Sequence, residues 1–175
     1  MPLDNDFADQ NCSVARTLEV VGERWSLLVI REAFLGVRRF DEIQQHLGIS
    51  RNVLSARLTK LVEQGVLRRV QYSERPPRFE YRLTSRGRDL YPVIMAMSDF
   101  GDRHAPPPNG PARYFKHRAC GTEINKRHLR CDTCGVDVDV RDMYAEEGPG
   151  YDGPNGEFAP LPPRQPATPE ATPAG

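Results

Sequence analysis

Two short segments near residue 120 repeat one arrangement of metal-binding side chains. His117 precedes Cys120 by three residues, Cys131 precedes Cys134 by three, and a glycine directly follows each second member. Such knuckles can supply the nitrogen and sulfur ligands of a tetrahedral zinc ion, and the glycines permit the tight turn that brings backbone N–H groups towards the thiolates. The spacing predicts a zinc-ribbon-like module over residues 112–144 that holds one structural zinc ion.

The spacing leaves three alternatives open. His128 is a rival for the position of the fourth ligand. Cys131 and Cys134 can also form a redox pair with Cys120 as a bystander, or the module can be a degenerate ribbon without metal. If four protein ligands do bind zinc, the site is closed and leaves no open position for catalysis.

Cys12 lies far from this cluster, at the start of a predicted helix. A helix N-terminus favours the thiolate, which is the reactive form of cysteine, so Cys12 is a candidate redox sensor. The alternative is a small buried hydrophobic residue without chemistry.

A second group of polar side chains lies on a helix predicted over residues 50–64. Ser50 suits the N-cap of this helix, and Gly65 suits the left-handed residue that ends it. The apolar residues repeat with helical period, which predicts one buried stripe. That stripe consists of Leu54, Leu58, Leu61 and Val62.

The neighbouring segments predict a helix-turn-helix followed by a hairpin. Residues 40–47 form a short predicted helix, joined to the next by Gly48 and Ile49. Residues 66–83 contain two predicted strands around a proline-containing turn. The predicted fold is therefore mainly α with a β-wing, an α+β winged helix-turn-helix.

Positive charge is concentrated on this unit. The 175-residue chain has a formal net charge of zero, yet residues 51–88 hold ten basic residues and three acidic ones. A local excess of seven positive charges is typical of a surface that contacts phosphates. Double-stranded DNA is the expected partner.

The polar face of the predicted helix offers groups that can recognise bases. An α-helix fits the major groove, where Asn52 can pair with adenine and Arg51 or Arg57 with guanine. Val53 and Ala56 are expected to face away from the core, where they can contact thymine methyl groups or simply remain exposed.

Other residues are expected to hold the DNA backbone. Thr59 and Lys60 suit phosphate contacts, and Arg75 and Arg78 of the wing can enter the minor groove or follow the backbone. The full set of candidate DNA-binding residues is Arg39, Ser50, Arg51, Asn52, Val53, Ser55, Ala56, Arg57, Thr59, Lys60, Arg75 and Arg78.

Three more helices are predicted around the helix-turn-helix. They cover residues 12–21, 24–35 and 84–102, and Pro92 is expected to bend the last one or delay its start. This last helix carries more apolar residues than one small domain needs to bury.

Composition divides the chain into segments. Residues 1–11 are predicted to be flexible, residues 12–104 to form the winged-helix domain, and the proline-rich residues 105–111 to form a linker. Residues 145–175 hold eight prolines and five glycines, which predicts a disordered tail.

Several classes of protein are not supported by the sequence. It contains no apolar run long enough for a membrane helix, and its N-terminus is acidic where a secretory signal would be basic, so we expect a cytoplasmic protein. No phosphate loop, arranged nucleophile or open metal site points to an enzyme.

Residues 12–103 resemble the HxlR-type winged-helix regulators, bacterial relatives of the MarR group. The resemblance rests on Cys12 before an apolar helix and on motifs in the same order as in the family. These motifs are VGERWSLLVI at 21–30, RFDEI at 39–43, GIS at 48–50, VLSARL at 53–58, PRFEYRLT at 77–84, and Gly87.

The resemblance implies a homodimeric transcription factor, usually a repressor, whose terminal helices form the dimer interface. Many members have a second tryptophan near the end of the last helix, where this chain has Phe100. In some relatives the cysteine equivalent to Cys12 senses oxidants or electrophiles, so a small-molecule or oxidant inducer is expected. The competing hypothesis is a winged-helix protein-interaction module that uses the ribbon and the tail.

Overall fold

The computed structural model describes residue 7 and residues 10–151. The first part of the chain is helical around one hairpin. Its elements are α1 Ser13–Val21, α2 Ser26–Phe34, α3 Phe40–Leu47, α4 Arg51–Glu63, β1 Leu67–Glu74, β2 Pro77–Leu83, α5 Ser85–Arg88 and α6 Tyr91–His104. This order confirms the predicted winged helix-turn-helix.

Helix α4 forms as its sequence predicts. The Ser50 hydroxyl accepts a hydrogen bond from the Val53 amide at 3.4 Å, and Gly65 takes the left-handed conformation with φ +67°. Leu54, Leu58 and Leu61 are all buried in the core. Burial of each leucine contributes roughly 1.5–3 kcal/mol, so the position of α4 is fixed by its apolar stripe.

Helix α2 starts later than the sequence predicts. Trp25 has φ +80°, which is outside the helical region, and the helix begins at Ser26. The Ser26 amide donates to the Glu23 carbonyl at 3.0 Å, so a turn replaces the first predicted helical residues. Trp25 itself is half-buried and packs against the core.

The predicted helix over 84–102 is two helices in the structure. The Thr84 hydroxyl caps α5 by accepting from the Gly87 amide at 3.0 Å, and it donates to the Gly65 carbonyl at 2.6 Å. Pro92 is the second residue of α6, where its missing N–H leaves no helical hydrogen bond unmade. The proline therefore delays the start of α6.

The wing is an antiparallel pair, β1 with β2, whose register shifts between Gln71 and Ser73. The shift is a bulge at Tyr72, so the side chain of Tyr72 does not follow the strand alternation. The strands run up to a turn at Arg75 and Pro76.

The rest of the described chain is a small β module. Its elements are β3 Arg113–His117, β4 Arg130–Cys131, β5 Val136–Asp137, a 3-10 turn Val140–Asp142 and β6 Met143–Glu147. β3 pairs with β6 and β4 with β5, both antiparallel. β6 continues past residue 144, where the sequence places the end of the module.

The β module packs against the winged helix. Ile124, Cys131 and Met143 belong to the same buried cluster as Tyr91 and Met95 of α6. The proline-rich segment 105–111 thus lies between the winged helix and the β module in sequence, but the two parts share one buried core. Most of the predicted flexible N-terminus and most of the predicted tail lie outside the described residues.

Candidate DNA-binding surface and metal centre

The side of α4 opposite its leucine stripe is open to solvent. Asn52, Ser55, Ala56 and Thr59 are exposed, and Lys60 is half-buried. Ser50 is also exposed while it caps the helix. A continuous polar strip therefore runs along the accessible side of α4.

Arg51 stands at the start of this strip. Its guanidinium lies over the Phe40 ring, 4.8 Å from the centroid, and its Nη1 lies 3.7 Å from Oδ1 of Asp41. Both charged side chains are largely exposed, so this ion pair is weak and leaves Arg51 able to exchange partners.

Two other predicted contact residues are less accessible. Arg57 is only 21% exposed, and its Nη1 lies 2.9 Å from Oε2 of Glu23. Val53 is half-buried and packs against the core, instead of facing away from it as the sequence led us to expect. The helical period of α4 does not predict either placement. Arg57 depends on Glu23 in the α1–α2 turn, and Val53 depends on the core beside α4.

The wing extends the basic surface. Arg75 and Arg78 are exposed at its tip. The guanidinium of Arg39 lies over the ring of Tyr72, 4.9 Å from the centroid, which joins the start of α3 to the wing. Sequence reasoning missed Tyr72, because its outward position depends on the bulge.

The four predicted metal ligands converge. The ligand atoms of His117, Cys120, Cys131 and Cys134 all lie within 4.8 Å of one another. Cys120 Sγ is 3.5 Å from both Cys131 Sγ and His117 Nδ1. Tetrahedral zinc with bonds of about 2.0–2.3 Å needs ligand separations of roughly 3.3–3.8 Å, and both of these Cys120 distances lie in that range.

The backbone of both knuckles has the predicted form. The Gly121 amide donates to the His117 carbonyl at 2.8 Å, and the Gly135 amide donates to the Cys131 carbonyl at 2.8 Å. Both glycines have positive φ, +71° and +69°, which other residues rarely adopt. The Cys134 amide points to Cys131 Sγ at 3.5 Å. His128 is exposed and is not a member of the group of four.

The thiols of this cluster differ in acidity. Hydrogen bonds from the side chain and the backbone of Thr122 lower the pKa of Cys120 to about 6. Hydrogen bonds with Cys120, and to a smaller extent with Cys131, raise the pKa of Cys134 to about 12. A thiolate at Cys134 would be unfavourable beside the thiolate of Cys120. Cys120 is therefore the more acidic of these two thiols, and a metal that binds cysteine ligands must displace the protons that remain on them.

Cys12 is exposed and is the N-cap residue of α1. Its exposure in the single chain does not support the buried hydrophobic alternative. The thiol is accessible to small molecules in solution.

Helix α6 has an exposed apolar side. Val93, Met97 and Phe100 are large apolar residues exposed to solvent, and Phe100 is 61% exposed. With Ala96 they line one shallow groove. Within the described part of the chain, no helix has the length and apolar character to span a membrane.

Sequence comparisons agree with this architecture. The profile of the HxlR-like helix-turn-helix family matches residues 20–109. The HTH-type transcriptional regulator Rv3095 of Mycobacterium tuberculosis is 49% identical over 139 residues, covering 79% of this chain and 87% of that protein. YdeP of Bacillus subtilis, also named an HTH-type transcriptional regulator, is 35% identical over 101 residues, covering 57% and 77%.

Two solved structures of transcription factors are also similar to this chain. The crystal structure of PA1607, a proposed transcription factor, superposes with a TM-score of 0.61 at 37% identity and covers 75% of this chain and 92% of that one. A proposed MarR-family regulator from Porphyromonas gingivalis W83 has a TM-score of 0.50 at 32% identity, covering 55% and 95%.

Proposed function

Because the chain belongs to the HxlR-like helix-turn-helix family, we propose that this transcriptional regulator is a dimer that recognises a specific duplex through α4 and its wing. One observation carries the proposal. The exposed polar strip of α4 continues through Arg39 and Tyr72 to the basic wing tip, while the opposite side of α4 is buried in the core. An α-helix fits the major groove, and basic side chains beside it can contact the flanking phosphates.

The residues of this surface divide into two roles. Asn52 and Arg51 recognise base edges, because amide and guanidinium groups pair bidentately with adenine and guanine. Ser55 and Ala56 lie beside the bases, and Thr59 and Lys60 hold phosphates.

At the wing, Arg75 and Arg78 contact the minor groove or the backbone. Arg39, which lies over Tyr72 of the wing, contacts the backbone beside α3. The protein acts in the cytoplasm as a repressor and not as an enzyme, by occupying DNA that the transcription machinery needs.

The apolar side of α6 pairs two protomers. Val93, Met97 and Phe100 are exposed, and an apolar patch of this kind is covered in a stable protein. A two-fold dimer places its two recognition helices in successive major grooves, so the operator is pseudo-palindromic.

His117, Cys120, Cys131 and Cys134 hold one structural zinc ion. Support comes from their mutual distances, from the two glycine knuckles and from the mixed nitrogen and sulfur donor set. Zinc there supplies a crosslink between the two knuckles and no catalytic position.

The test is selection of binding sites from a random duplex library with the full chain, followed by a footprint on the selected duplex. We expect a pseudo-palindrome bound far more tightly than random DNA at physiological salt. A chain that binds all sequences equally would refute base recognition, and the interaction-module hypothesis would become the better account.

The exposed Cys12 supports a second candidate function, thiol-based sensing of oxidants or electrophiles. Alkylation of the wild-type protein and of Cys12→Ser tests it. Loss of operator binding only in the protein that has Cys12 would support sensing, whereas equal binding by both alkylated proteins would refute it.

A further inference from the structure

The β module is attached to the same helix that is proposed to pair the protomers. Lys126 Nζ lies 2.5 Å from Oδ2 of Asp102 on α6, and Arg127 Nε lies 3.6 Å from Oδ2 of Asp99. The Lys126 side chain is only 9% exposed, so this ion pair is shielded from solvent. Lys126 and Arg127 belong to the loop that connects the two knuckles, between Cys120 and Cys131.

A second, buried contact joins the same two parts at the other end of α6. The Tyr91 hydroxyl contacts the Met143 sulfur, and Met143 is the cross-strand partner of His117 in the β3–β6 pair. Tyr91 also packs edge-to-face on Phe34 of α2, with 5.5 Å between ring centroids. The predicted ligand His117 is thus paired with Met143, and Met143 contacts Tyr91, which packs on the core of the winged helix.

The four ligands join a buried part of the β module to exposed parts, which a bound ion would crosslink. Cys131 is fully buried in the shared core, while Cys120 and Cys134 come from the exposed ends of the knuckles. The strands β4 and β5 on either side of the second knuckle have only two residues each, so few backbone hydrogen bonds hold this knuckle in place. In small modules of this kind, the free energy of metal binding is free energy of folding.

We propose that zinc loading of the His117–Cys120–Cys131–Cys134 site controls how tightly the two protomers pair through α6, and thereby controls operator affinity. The zinc-bound module holds the inner side of α6 through Asp99, Asp102 and Tyr91, so the outer side presents Val93, Met97 and Phe100 in one fixed position. Loss of zinc loosens the loop with Lys126 and Arg127, and α6 loses these supports. This inference rests on the proposed dimeric DNA-binding function.

The experiment uses the full chain, loaded with Zn(II) or stripped by a chelator. Sedimentation measures the dimer dissociation constant, hydrogen exchange measures protection of the amides of α6, and anisotropy measures affinity for the selected operator. We expect zinc removal to weaken dimerisation about 5- to 150-fold, the usual range of coupling between two sites, and to increase exchange within residues 91–104.

Two variants separate the coupling from general unfolding. Lys126→Met removes the buried cation but no ligand, so it should retain zinc, weaken dimerisation and respond less than wild type to zinc removal. Asp137→Asn is the matched control, because Asp137 pairs with Arg130 inside the module, at 3.5 Å, on an exposed edge. It should behave as wild type in all three measurements.

The possible outcomes distinguish this inference from the proposed function. A chain that binds no zinc, or whose dimerisation and exchange are the same with and without zinc, refutes the coupling even if it binds an operator. Identical behaviour of Lys126→Met and Asp137→Asn also refutes it. Zinc-dependent dimerisation in a chain without sequence preference supports the link from metal to α6 and refutes the proposed recognition of bases.

Discussion

Nη1 of Arg57 lies 2.9 Å from Oε2 of Glu23, which ties a basic residue of the recognition helix to the turn between α1 and α2. The guanidinium is drawn to the flank of α4 and is only 21% exposed. We therefore expect Arg57 to position α4 more than to contact bases, in contrast to the exposed Arg51 and Asn52.

Replacement of Arg57 by alanine should act on stability more than on base preference. We expect Arg57→Ala and Glu23→Gln each to lower the free energy of unfolding by about 0.5–1 kcal/mol, the upper part of the range for accessible ion pairs. Urea denaturation measures this, and the double variant should lose less than the sum because both changes remove the same contact. Loss of guanine preference at one operator position in Arg57→Ala would show instead that Arg57 reads a base.

Asn52 and Lys60 should differ in the kind of binding that they support. Asn52→Ala should relax preference at one operator position, at a cost of about 1–3 kcal/mol for the preferred base, because it removes a bidentate contact. Lys60→Ala should weaken binding to all duplexes and reduce the salt slope by about one unit, because it removes one phosphate contact. Competition titrations at several salt concentrations measure both effects, and equal losses of both variants on operator and random DNA would contradict the assignment of Asn52.

A charge on the apolar side of α6 should separate the protomers. Met97→Asp should give a monomer of the 19.8 kDa chain in sedimentation and should weaken operator binding, because a carboxylate would be buried without a partner. The fold should persist, since Met97 is 52% exposed in one chain. Met97→Leu is the control, because it keeps an apolar side chain at the same position and should remain a dimer. A dimer of unchanged strength in Met97→Asp would place the interface elsewhere.

Metal analysis should find about one zinc per chain, because one tetrahedral structural site uses four protein ligands. His117→Ala should lose zinc readily and His128→Ala should retain it, since only His117 lies in the cluster. Cys131→Ser should also release zinc. Retention by His117→Ala together with loss by His128→Ala would make His128 the fourth ligand.

The β module and the winged helix should unfold together. Met143→Ala removes a fully buried side chain from the contact with Tyr91, and such changes cost about 2–5 kcal/mol. We expect one transition, the same by circular dichroism and by zinc release, with its midpoint lowered in the variant. Two separated transitions would support the independent modules that the proline-rich linker predicts.

Local patterns explain why much of the structure is predictable. The leucine stripe, Ser50 and Gly65 define α4 because helical period and end residues act over a few positions. The paired knuckles likewise bring the four predicted ligands together, because each knuckle is a tight turn with its own glycine. Pro92 also acts locally, so the sequence predicts a bend or a delayed helix start near this residue. It does not predict that the segment divides into α5 and α6.

The sequence by itself therefore determined the winged helix-turn-helix, its exposed polar helix and the composition of the metal cluster, since each depends on near neighbours in the chain. Only the tertiary structure decided that Arg57 turns to Glu23, that Val53 packs inward and that Tyr72 faces outward at a bulge. It also placed the β module on α6 through Asp102 and Lys126. These features depend on contacts between residues far apart in the chain, where side-chain volume and charge must match a partner that no local pattern specifies.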